Sequence, residues 1–230
     1  MSQNLSSSVV RNIEDLRGPA GRLEAILNLP EHDSSYAALV CHPHPLFGGT
    51  MHNKVVYHAM KAFLSHGIPV LRFNFRGAGL SEGTHDNGHG EVEDVRAGLA
   101  WMVRDYDRPL LFAGFSFGSS VGLRACCGDE RVKGIAALGL PVSAGGREYH
   151  YRFLAGCHQP KLFISGTADQ YGPRASVEAV VANATPPAEL VMVEGADHFF
   201  MGKLELVQQA LSAWIEAHFI PSAIHRNSLY

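Results

Sequence analysis

An apolar run, Pro109 to Phe112, leads straight into Gly114-Phe115-Ser116-Phe117-Gly118, and the residues after it, Gly118 to Cys127, are small and apolar enough to form a packed helix. A G-x-S-x-G between a buried strand and a helix is the pattern of a strained turn that lifts a serine hydroxyl out at the edge of a sheet. Glycine is needed on both sides because side chains there would collide with the turn and the adjoining strand. The bland reading, a glycine-rich turn with an incidental serine, has to be judged against the rest of the chain.

The rest of the chain repeats the strand-then-helix rhythm. Strands are expected at Arg22–Leu29, Ala37–Cys41, Ile68–Phe75, Leu110–Ala113, Gly134–Leu140, Lys161–Ser165 and Glu189–Val193. Helices are expected at Lys54–Leu64, Glu91–Val103, Phe117–Cys127, Ala175–Val181 and near Lys203–His218. In the second of these, Val92, Val95, Leu99, Met102 and Val103 share one face behind a carboxylate-rich first turn. Such alternation argues for an α/β fold with a mostly parallel sheet of about eight strands and helices on both faces. The first two strands lack a helix between them and are expected to form an antiparallel edge. At 230 residues, with no repeat or linker, the chain reads as one domain over residues 1–230, its core spanning about 22–219.

Functional residues of such a sheet collect just past the carboxyl ends of its strands. Ser116 stands there, as do Asp169 in Gly166-Thr167-Ala168-Asp169 and His198 in Gly195-Ala196-Asp197-His198. The types fit one chemistry. A serine hydroxyl is a weak nucleophile until an imidazole accepts its proton, and a carboxylate fixes the tautomer of that imidazole. Among thirteen histidines His198 is singled out by following the last expected strand. Asp197 competes as the acid, but a residue adjacent to the histidine usually points elsewhere, so Asp169 is preferred.

Charge developing on an attacked carbonyl oxygen needs N–H donors. One is expected from the backbone of Phe117 and another from the loop His42-Pro43-His44-Pro45-Leu46-Phe47-Gly48-Gly49. The prolines have no N–H, which leaves His44 as first choice and Leu46 as second. The alternative for this loop is a metal site on His42 and His44, without a third ligand of obvious spacing. His85 and His89, four apart in Glu82–Gly90, pose the same choice and are read as a loop.

Five stretches carry a resemblance: HPHPLFGG at 42–49, RGAGLSEG at 76–83, GFSFG at 114–118, GTAD at 166–169 and ADHFF at 196–200. In this order they resemble the α/β-hydrolase superfamily over about Arg22 to Phe219. More narrowly, HPHPLFGGTMHNKVV followed by FNFRGAG is similar to a group of small hydrolases without a lid, many known only as predicted esterases. The DxRGxG turn of the family has Asn74 where the aspartate usually stands; that turn is structural.

The resemblance implies catalytic Ser116, Asp169 and His198, and hydrolysis of carboxylic esters through an acyl-enzyme, with thioesters and small amides open to the same machinery. No separate lid domain is expected, because residues 141–160 are too few; they read as a short flap with Gly145 and Gly146 beside aromatic residues. Phe47, Tyr149, Tyr151 and Phe199 are the candidates for substrate contact, with aromatic packing as the alternative for the flap residues.

A non-catalytic binding protein or scaffold on the same fold is the competing class; it would be free to lose the nucleophile, acid or histidine, and all three are present. No cofactor is implied, since there is no G-x-G-x-x-G after a first strand and no P-loop. A net charge of -3 gives no reason to expect nucleic acid or an anionic membrane as partner. Met1 to Ser8 is polar and unlike a signal peptide. Cys126 and Cys127 are read as packing residues rather than a disulfide pair, and a reducing cytoplasm is the expected compartment.

Overall fold

The computed structural model describes residues 9–32 and 34–220; the polar start, Met1 to Ser8, lies outside them. Eight strands form the central sheet: β1 (Val9–Ile13), β2 (Ala25–Leu29), β3 (Ala37–Cys41), β4 (Val70–Phe73), β5 (Leu110–Phe115), β6 (Val132–Leu138), β7 (Lys161–Gly166) and β8 (Ala188–Val193). Their spatial order is β1-β2-β4-β3-β5-β6-β7-β8. From β4 to β8 all neighbours run parallel, while β2 is antiparallel to both β1 and β4. The expected antiparallel edge therefore exists with different members. β2 pairs with β1, and β3 sits two places further in, between β4 and β5.

Period-two alternation feeds two cores. In β3, Ala37, Leu39 and Cys41 face one side and Ala38 and Val40 the other; in β5, Leu110 and Phe112 oppose Leu111, Ala113 and Phe115. Helices α1 (Lys54–Leu64) and α5 (Leu204–Phe219) cover one face, through Val56, Phe63, Leu211 and Trp214. Helices α2 (His89–Tyr106) and α3 (Phe117–Cys126) cover the other, with α4 (Arg174–Ala182) beside them through Val180 and Val181. Each Leu or Phe side chain so buried stabilises the fold by roughly 1.5–3 kcal/mol. A run of apolar residues buried on both faces is what makes β5 a central strand, and its carboxyl end delivers Ser116.

Residues 141–160, read from the sequence as a flap, form a two-strand ribbon and a short turn. Ser143–Ala144 pairs with Arg147–Glu148 across Gly145 and Gly146, and a 3-10 turn, Arg152–Gly156, follows. Its base is tied down by several bonds. The Tyr151 hydroxyl donates to Pro141 O at 2.6 Å, Gln159 Nε2 to Cys126 O at 2.9 Å, and Lys161 Nζ to Cys157 O at 2.6 Å. Cys157 is also disulfide-bonded to Cys127, which follows α3. This corrects half of the cysteine reading. Cys126 is a buried free thiol that packs in the core, whereas its neighbour forms a covalent link to the flap.

Candidate active site

Ser116 has φ 54° and ψ −118°, a conformation that costs a non-glycine residue on the order of 1–3 kcal/mol. Its surroundings hold it there. Ser116 N donates to Leu138 O at 2.9 Å, and its carbonyl accepts from Ser119 N at 2.9 Å and Ser119 Oγ at 2.6 Å. Both motif glycines are required by close approach. A Cβ on Gly114 would stand 2.4 Å from Gly118 O, and one on Gly118 would stand 2.4 Å from His42 O. The second approach brings the start of α3 against the end of β3, where the His42–Gly49 loop begins.

β8 ends at Val193 and a short turn presents His198; β7 ends at Gly166 and its turn presents Asp169. The two turns are joined by Ala168 N donating to Ala196 O at 2.9 Å. His198 Nδ1 lies 2.8 Å from Asp169 Oδ2, and Nε2 lies 2.8 Å from Ser116 Oγ. A carboxylate only accepts, so Nδ1 carries the proton and Nε2 is left to accept from the serine hydroxyl. Asp169 Oδ1 is occupied by the N–H groups of Tyr171 at 2.8 Å and Gly172 at 3.1 Å, which aims Oδ2 at the imidazole. His198 and Asp169 are both 3% exposed. Asp197 turns away from the imidazole and accepts from Met201 N at 2.9 Å.

The loop after β3 is held by a second buried histidine. Phe75 N donates to His42 Nε2 at 2.9 Å, so the proton is on Nδ1, which donates to Pro43 O at 2.6 Å. Burial pushes the His42 pKa down to about 4. With both ring nitrogens spent on backbone, His42 has none left for a metal. Among the described residues no group of three or more His, Cys, Asp or Glu is placed to hold one.

The two oxyanion candidates in this loop differ. Leu46 N donates to His44 Nδ1 at 3.3 Å and is already engaged. Among the described residues the N–H groups of His44 and Phe117 have no acceptor within the protein. Burial, with His85 nearby, pushes the His44 pKa down to about 4.

The Ser116 hydroxyl opens into a cavity of about 530 Å³. Phe47, Tyr149 and Phe199, expected at the substrate, line it. Tyr151 does not: it is 7% exposed, and its hydroxyl is spent on Pro141 O, so it braces the flap from within the core. Tyr171, His85 and Arg147 also line it, though the sequence reading did not place them at the substrate. Tyr171 meets the His198 ring edge-on, with centroids 4.8 Å apart; its position two residues after Asp169 was the available signal. His85 lies against His44 at a tilt, ring centroids 4.7 Å apart, with Nδ1 2.8 Å from Glu91 Oε1 but out of line for a hydrogen bond. Arg147, the third, comes from the flap ribbon.

Strand order, sheet direction and a serine–imidazole–carboxylate row at the carboxyl edge define a class, the hydrolase-type α/β proteins with a mostly parallel eight-stranded sheet. The sequence profile of the Alpha/beta hydrolase domain matches residues 38–219, and the chain belongs to that family. It is 35% identical over 205 residues to an uncharacterized protein of Rickettsia prowazekii (strain Madrid E), covering 86% of each chain. Among solved structures it is similar to an alpha-beta serine hydrolase homologue from Coxiella burnetii, with TM-score 0.81 and 35% identity over 93% of this chain and 100% of the other. A second, described as an a/b serine hydrolase without lid, comes from Xanthomonas campestris, with TM-score 0.81 and 32% identity over 96% of this chain and 99% of that one.

Proposed function

We propose that the protein is a serine hydrolase that cleaves carboxylic esters through an acyl-enzyme, within the small group without a lid marked by the His42–Gly49 loop. Thioesters and small amides are open to the same chemistry. Ser116 Oγ attacks the acyl carbon while His198 Nε2 takes its proton, then returns that proton to the leaving oxygen. Asp169 holds the imidazole and stabilises the imidazolium. The N–H groups of Phe117 and His44 receive the oxyanion, where loss of one donor typically costs ~3 kcal/mol of barrier. Water then releases the acid by the same steps in reverse roles.

The observation that carries this reading is the continuous path from Ser116 Oγ to His198 to Asp169, two contacts of 2.8 Å, starting from a serine held at positive φ. The test is labelling with a fluorophosphonate probe, read by intact mass and peptide mapping. One adduct on Ser116, absent from Ser116→Ala, is expected. Folded protein that takes no label would return the non-catalytic binding alternative to the front.

The proposed substrate is a small acyl ester rather than nucleic acid or membrane, and no cofactor takes part. No helix among the described residues is long and apolar enough to cross a membrane. A cytoplasmic location completes the proposal, and the Cys127–Cys157 bond contests it, because stable disulfides are rare in a reducing compartment. Thiol alkylation in denaturant at the moment of lysis decides between them: all four cysteines modified supports the cytoplasm, and two modified supports an oxidising compartment.

A further inference from the structure

The walls of the Ser116 cavity are electrically lopsided. Among the described residues no aspartate or glutamate lines it, and Arg147 is the one lining residue with a permanent charge. The carboxylates nearest the site are engaged elsewhere. Asp169 is committed to His198 and two backbone N–H groups. Glu91, fully buried behind His85, accepts from the N–H groups of Asp86 at 2.9 Å and Gly88 at 2.8 Å.

Arg147 is held by packing rather than by an acid. Its guanidinium lies over the Tyr149 ring, 5.2 Å from the centroid. One edge reaches the 85–89 loop: a Cβ on Gly88 would stand 3.6 Å from Arg147 Nη2 and 3.6 Å from Phe117 Cε2. The cation and the ring of the residue after the nucleophile thus flank one spot. Among the described residues nothing accepts a hydrogen bond from this guanidinium, so its planar fork of donors is unspent at the cavity wall.

We propose that Arg147 selects esters carrying a second, anionic group, a carboxylate that pairs with its guanidinium while the ester carbonyl lies at Ser116. This rests on the hydrolase reading and narrows its substrate class. A planar fork matches a carboxylate in two hydrogen bonds, and a charge at a partly desolvated wall is screened less than one at the surface. The covalent steps are unchanged: Ser116 Oγ bonds to the acyl carbon, the alcohol or phenol leaves with the proton from His198, and water releases the acid. The anionic group belongs either to the acyl chain or to the leaving group.

Two substrate pairs separate those sources. The first is mono-4-nitrophenyl glutarate against its carboxamide analogue; the second is 4-carboxyphenyl butanoate against 4-carbamoylphenyl butanoate. In at least one pair kcat/KM should favour the anion by about tenfold or more at low salt, mainly through KM, and the preference should shrink at high salt. The pair that shows it names the source. Arg147→Gln should bring that ratio near one, Arg147→Glu should invert it, and Arg147→Lys should keep part of it. Turnover of both pairs with no preference for the anion, or a preference that survives Arg147→Gln, overturns the assignment of Arg147 and leaves the hydrolase reading standing. No turnover of any ester, together with no fluorophosphonate adduct on Ser116, overturns both.

Discussion

Two buried histidines stand at the carboxyl edge of this sheet, one in the loop after β3 and one in the loop after β8. His42 and His198 are 0% and 3% exposed, and each uses both ring nitrogens in hydrogen bonds. They differ in their partners. His42 bridges a carbonyl and an N–H of the backbone, groups that neither gain nor lose a proton near neutral pH. His198 bridges a carboxylate and a serine hydroxyl, one able to stabilise a positive ring and the other able to give up a proton. Burial and saturation with hydrogen bonds therefore do not make a general base. The chemistry of its partners does, and His42 shows what the same ring becomes between two backbone groups, a clamp for the loop after β3.

The sharpest way to break this contrast is at His198. His198→Ala and Ser116→Ala should each lower kcat/KM on an ester by about 10⁴-fold or more, and the double variant should be little worse than either, because the two act as a unit. Circular dichroism should show both variants folded; additive losses would mean that they do not share one step. Asp169→Asn should cost no more than either, up to about 10⁴-fold, by spoiling the tautomer. Asp197→Asn should stay within about twofold, and the reverse ranking would transfer the acid role to Asp197.

His42→Ala should show itself first in stability. It leaves Phe75 N–H without its acceptor and opens a cavity, a loss of roughly 2–4 kcal/mol in urea denaturation. A variant as stable as the wild type would remove the clamp from the comparison. The smallest effect is expected from pH. With the His42 pKa at about 4 in the fold against 6.5 when unfolded, the unfolded chain binds a proton in that window and the folded chain does not. Stability should then rise with pH from about 4 to 6.5 and level off above. Half-buried His44 adds a smaller share in the same direction. Denaturation midpoints at several pH values measure the slope, which His42→Asn should reduce.

Much of this was legible in the sequence because strand, glycine and functional side chain follow one another locally. GFSFG, GTAD and ADHFF each sit at a strand end, and the structure brings their Ser116, Asp169 and His198 together. What was not legible depends on neighbours distant in sequence. β1 has four exposed positions out of five, so no buried alternation marks it; only its ladder to β2 makes it a strand. Cys127 and Cys157 are 30 residues apart with no telling spacing, and it is the flap's path that joins them. Arg147 and Tyr171 become lining residues only when two loops face the same serine.

Asn74 is the instructive middle case. Its side chain accepts from Met51 N at 2.8 Å and donates to Glu24 Oε2 at 2.7 Å. An aspartate there would face Glu24 with like charge, so the departure from the usual turn becomes intelligible once Glu24 is seen beside it.

The fastening of the flap also sets a clock. With Cys157 bonded to Cys127 and Tyr151 tied to Pro141, the lower part of the segment moves with α3, and what can swing is the short ribbon around Gly145 and Gly146. Small loops rearrange in nanoseconds to microseconds, whereas closing lids and domains take microseconds to milliseconds. Under the proposed function, motion of this ribbon is expected to be fast against turnover, which leaves the rate to bond making and breaking.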